Sequence, residues 1–78
     1  MRQKEERLVI TFRTTAEAMA AEQAFRGDGI PGRLIPVPRQ ITAGCGLAWS
    51  SPLEAKNVIE QYMEEHKLAW EERGIYRI

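Results

Sequence analysis

Cys45 stands between two glycines in Gly44-Cys45-Gly46 and is the sole cysteine of the chain. A lone thiol makes no internal disulfide, so it is either an inert small hydrophobe or a nucleophilic sulfur. Gly44 and Gly46 carry no side chains, which would leave the sulfur open to a partner's sulfur and let backbone amides approach it. The same pattern also fits a buried thiol at the mouth of a strand, with the glycines forming a hairpin or bulge. Both readings stand on pattern alone. The cations nearest in character are Arg13, Arg33 and Arg39. Arg33 reads as a solvated charge, whereas Arg39 follows the proline-stiffened corner Pro36-Val37-Pro38 and would be held in place by it. His66 is the lone histidine and lacks a second ligand at metal spacing, so no metal site is read. Glu64-Glu65 and Glu71-Glu72 read as carboxylates facing water rather than an acid-base pair. No cofactor is expected.

The composition narrows the function classes. With 78 residues the chain can build one hydrophobic core. Eleven basic and eleven acidic residues cancel, removing the positive field that nucleic acid or anionic lipid demands, so neither is an expected partner. Residues 1–7 form a charged leader where a secretory signal would turn apolar, and no apolar run nears the roughly 20 residues that span a bilayer. A cytoplasmic protein is expected, with one domain over residues 8–78.

The elements that would position Cys45 follow from periodicity. Leu8-Val9-Ile10-Thr11-Phe12 alternates as a strand with Leu8, Ile10 and Phe12 on one face. Thr14 or Thr15 caps a helix, with Glu17 completing a capping box, and the helix runs to Phe25 with Ala18, Ala21 and Ala24 on its apolar stripe. Gly27-Asp28-Gly29 ends it. Leu34 to Pro38 is an edge strand, since two prolines remove ladder donors, and Gly46 to Ser50 is a third strand. Ser51-Pro52-Leu53-Glu54 predicts the start of a second helix with Ser51 as its cap. Val58, Ile59, Tyr62 and Met63 form that helix's stripe, and it fades near Glu65 or His66. Leu68 to Ile78 is a fourth strand, with a turn or bulge at Gly74.

This order, βαββαβ, predicts a ferredoxin-like α+β fold, a four-stranded antiparallel sheet with two helices on one face. The expected strand order 4-1-3-2 brings the end of the first strand, the end of the second and the start of the third to one edge. Arg13, the Thr14/Thr15 helix start, Arg39 and Cys45 would meet there. If the alternation of Leu47 and Trp49 extends back to Cys45, the thiol leans toward the first helix, whose amide-rich N-terminus and neighbouring arginines favour a thiolate. Such a thiol would titrate below its free value of about 8.5.

The string Gly29-Ile30-Pro31-Gly32-Arg33-Leu34-Ile35-Pro36-Val37-Pro38-Arg39, followed by Cys45-Gly46-Leu47-Ala48, resembles the selenium/sulfur (Se/S) carrier protein-like family. The resemblance extends over Leu8 to Ile78 and includes Thr11-Phe12, Ala18, Glu22 and Gly74-Ile75-Tyr76. Trp49 departs from it, since a smaller aliphatic residue is more usual there. It implies a small carrier in which Cys45 holds sulfur or selenium as a persulfide or selenosulfide, with donor and acceptor proteins as partners. Two other readings remain open. One is a ligand-sensing or interaction domain that forms a homodimer through an apolar sheet face of Val9, Thr11 and Ala48, with Cys45 structural. The other is a phosphate-handling enzyme of acylphosphatase type, which would need an asparagine to position water. The sole asparagine, Asn57, falls on the second helix.

Overall fold

A computed structural model describes residues 5–39, 41 and 46–78. Its elements are β1 (Glu6–Thr11), α1 (Thr15–Gly27), β2 (Arg33–Pro36), β3 (Leu47–Pro52), a 3-10 turn (Leu53–Ala55), α2 (Lys56–His66) and β4 (Glu72–Arg77). All pairings are antiparallel and the strand order is β2-β3-β1-β4, the ferredoxin-like α+β arrangement. β2 lies at an edge, which suits Pro36, and it ends there rather than at Pro38 as expected. β1 begins at Glu6, two residues before Leu8, because Glu6 and Arg7 pair with Arg77 and Tyr76 of β4.

Alternation sorts the sheet into two faces. Leu8, Ile10, Phe12 and Trp49 join Ala18, Ala21 and Phe25 of α1 and Ile59 and Met63 of α2 in the main core, so both helices cover one face. Val58, expected in the α2 stripe, is exposed. The Phe25 and Trp49 rings pack in this core at 4.8 Å between centroids, tilted by 43°.

The turn from α1 into β2 explains a distinctive stretch of the sequence. Ile30 N–H donates to the Phe25 carbonyl (2.8 Å) and Gly29 N–H to that of Arg26 (3.3 Å), a Schellman closure with Ile30 packed onto the core. The Pro31 carbonyl accepts from the Ser51 hydroxyl (2.9 Å), whose oxygen accepts from the Trp49 indole N–H (2.6 Å). Gly32, at φ +136°, lies flush against this relay: a Cβ there would sit 2.6 Å from the Ser50 carbonyl oxygen and 2.7 Å from Trp49 Nε1. Gly29-Ile30-Pro31-Gly32 is thus a structural clasp.

Three local expectations are corrected. Ser51 does not cap α2. It belongs to β3, where its hydroxyl serves Trp49 and Pro31, and the chain enters α2 through the 3-10 turn instead. Gly74 makes no bulge, since it pairs in unbroken register with Val9; the Tyr76 ring covers it, with Cε1 3.1 Å from where a Cβ would stand. The sheet's second face is not an open apolar surface at Val9, Thr11 and Ala48. All three are buried: Ile41, from the β2–β3 connection, joins Val9 and Ala48 in a second cluster, and Ile35, Val37, Tyr76 and Ile78 pack against it.

Candidate functional site

The register places the expected features at one end of the sheet. Thr11, the last residue of β1, pairs with Ala48 near the start of β3, and Pro36, the last of β2, pairs with Leu47. Arg13, Thr14 and Thr15 leave β1 at this end, Arg39 lies just beyond β2, and Gly46 immediately precedes β3. Gly44 and Cys45 lie outside the described residues.

Thr14 is the cap of α1. Its Oγ1 accepts from Glu17 N–H (3.1 Å) and its carbonyl from Ala18 N–H (3.1 Å). The reciprocal half of the box is shifted by one residue, since the Glu17 carboxylate accepts from Arg13 N–H (3.2 Å) rather than from Thr14. A carboxylate therefore already sits in the first turn, offsetting part of the helix's positive end. The amides of Thr15 and Ala16 donate to no acceptor among the described residues.

Gly46 has φ +79° with open space where a Cβ would point, so glycine is needed there for backbone conformation rather than for room. Its carbonyl accepts from Val37 N–H (3.0 Å), closing the base of the β2–β3 connection one pair beyond Pro36 and Leu47. The parity read back from Leu47 and Trp49 to Cys45 falls on a residue outside the described ones. Within the connection, Ile41 is 9% exposed against Val9 and Ala48, and its N–H donates to the Pro38 carbonyl (3.0 Å). An isolated isoleucine in a polar stretch was the only sign of this anchor in the sequence.

The start of β4 also reaches this end. Thr11 holds it: the Glu71 N–H donates to the Thr11 carbonyl (2.7 Å), and Thr11 Oγ1 accepts from Glu72 N–H (3.1 Å). Glu71 and Glu72 thereby join Glu17 at the same end as Arg13 and Arg39. The expected strand order implied this neighbour, since β4 runs antiparallel beside β1. The corner is consequently one of mixed charge, without a net positive field.

The model of the family described as "Putative Se/S carrier protein-like" matches residues 7–77. The chain belongs to that family. The match spans the clasp, the β2–β3 connection with Cys45, and both helices. No curated protein and no solved structure matches the chain. No helix among the described residues of this Se/S carrier-like protein is long and apolar enough to cross a membrane.

Proposed function

We propose that this chain is a small sulfur or selenium carrier that holds its cargo on Cys45 as a persulfide or selenosulfide and passes it between partner enzymes. The observation that carries the reading is the family match over residues 7–77, which encloses the chain's sole thiol. A carrier working through a thiol has no other atom on which to load.

Loading is a thiol exchange. The Cys45 thiolate attacks the outer sulfur of a donor persulfide, R–S–SH; the donor's S–S bond breaks, R–S⁻ leaves, and Cys45–S–SH forms. An acceptor thiolate then attacks that outer sulfur and releases the Cys45 thiolate. The selenium case runs identically with an outer selenium. Neither step needs a metal, a cofactor or a general base, so the protein acts as a carrier and not as an enzyme with its own turnover.

In this reading the open amides of Thr15 and Ala16, with Arg13 and Arg39, favour the thiolate, and Thr14 fixes the helix start that presents them. Gly46 sets the backbone turn beside the cysteine, and Gly44 leaves its other side uncrowded. The carrier belongs in the cytoplasm, where the thiol is kept reduced between loads. The pH dependence of Cys45 alkylation in the native protein tests this assignment. A rate midpoint well below the free-thiol value of about 8.5 supports a carrier sulfur. Protection from alkylation until the protein unfolds would instead make Cys45 structural.

A further inference from the structure

The second sheet face, away from both helices, carries a cavity of about 730 Å³ at the end of the sheet opposite Gly46. Two arginines converge on it. Arg33 of β2 stands directly across from Ser50 of β3, and Arg7 of β1 reaches Ser50 diagonally, its Nε donating to Ser50 Oγ at 2.6 Å. Register places Arg7, Arg33 and Ser50 on the same face.

The polar groups here are only partly satisfied. The Arg7 side chain is 21% exposed and also pairs with Glu5 (Nη1 to Oε1, 2.6 Å), a carboxylate 65% exposed to water. Arg33 makes no ion pair or side-chain hydrogen bond among the described residues, leaving its five donors open. Ser50 is 2% exposed; its oxygen accepts from Arg7, while its hydroxyl hydrogen goes to no acceptor among the described residues. Two guanidinium groups thus lie beside the exposed Glu5 carboxylate and a buried hydroxyl that still has a proton to give. Ile35, Pro52 and Ile78 supply apolar walls to the same cavity. Its volume falls within the range of small-molecule sites, about 300–1,000 Å³.

We propose that this cavity binds an organic carboxylate with a short aliphatic body, its charge held between Arg33 and Arg7, with Ser50 donating to it and its tail on Ile35 and Pro52. Planar guanidinium forks match a carboxylate, and the apolar walls favour a ligand with a hydrocarbon part over a bare ion. Glu5 is the internal competitor. It must leave Arg7, or share it, when the ligand enters.

Titration of the isotope-labelled protein with hexanoate, followed by amide chemical shifts, tests the site. Saturable shifts are expected at Arg33, Ser50 and Ile35, with acetate binding more weakly. Arg33→Gln, at an exposed position that does not endanger folding, should weaken hexanoate about tenfold. Glu5→Gln should tighten it about threefold by removing the competitor. Cys45→Ser should bind as the unaltered protein does, which separates this site from the carrier reading. The proposal is overturned by the absence of saturable shifts, by unchanged binding in Arg33→Gln, or by inorganic phosphate binding more tightly than hexanoate.

Discussion

Gly32→Ala tests the clasp between α1 and β3 most severely. Gly32 sits at φ +136°, a region L-residues rarely adopt, and holding an alanine there costs roughly 1–3 kcal/mol. The new methyl would also meet the Ser50 carbonyl oxygen at 2.6 Å and both Ser51 Oγ and Trp49 Nε1 at 2.7 Å. None of these is the free end of a flexible side chain: the first is backbone, and the other two are bonded to each other inside the buried relay to Pro31. Relieving the contact breaks that relay and leaves a buried indole N–H without its acceptor, a further loss of about 1–3 kcal/mol. The middle of the combined range is about 4 kcal/mol, a large part of the roughly 5–15 kcal/mol that holds a domain together. For a chain of this size it corresponds to a fall in Tm of roughly 15–30 °C. Urea unfolding followed by tryptophan fluorescence measures the change, because Trp49 reports on the relay directly. Gly27→Ala is the control, since Gly27 ends α1 with nothing within 4 Å of its would-be Cβ and should be neutral or slightly stabilising. If Gly32→Ala lowered stability by no more than about 1 kcal/mol, the close approach described here would be wrong.

Three further outcomes follow from other parts of the fold. Lys67 closes α2 at φ 53°, and Lys67→Gly should raise stability by about 1 kcal/mol in the same unfolding assay. Tyr62 donates to the Asp28 carboxylate (2.5 Å), and that hydrogen bond, with desolvation and the carboxylate's charge, raises its pKa above the ordinary 10.0. The stability this bond contributes is therefore fully present below about pH 10 and is lost as pH rises through the elevated folded-state value. Asp28→Asn should move the tyrosinate absorbance transition of Tyr62 down toward the ordinary value. Ile41→Ala should cost about 2 kcal/mol by emptying the second cluster, seen as a lower urea midpoint.

The fold was largely legible because the strongest signals were periodic. Leu8, Ile10 and Phe12 all reached the core through simple alternation, and the strand order followed from topology rules. Local signals failed where a distant partner outbid them. Ser51-Pro52-Leu53-Glu54 carries every mark of a helix start, yet the Trp49 indole and the Pro31 carbonyl hold the Ser51 hydroxyl within β3. Gly74 looked like a bulge because the sequence hides that Tyr76, two residues on, can lay its ring across the gap. Val9 and Ala48 looked open because Ile41 stands alone in a polar connection, with no periodicity to place it over them. At the candidate site, topology did gather Arg13, Thr14, Thr15, Arg39 and Gly46 at one end of the sheet. It could not foresee that Glu17 would bond the Arg13 amide, or that Gly46 would take a left-handed conformation at the base of the β2–β3 connection.

The carrier assignment meets its most direct test in a loading experiment. The purified protein is incubated with a cysteine desulfurase and either cysteine or selenocysteine, so that the donor carries the outer sulfur or selenium already at the persulfide level, and its intact mass is measured before and after addition of an acceptor thiol. A gain of one sulfur or one selenium atom, removed by the acceptor and absent from Cys45→Ser, is the predicted result. An unchanged mass, or an equal gain in Cys45→Ser, would contradict it.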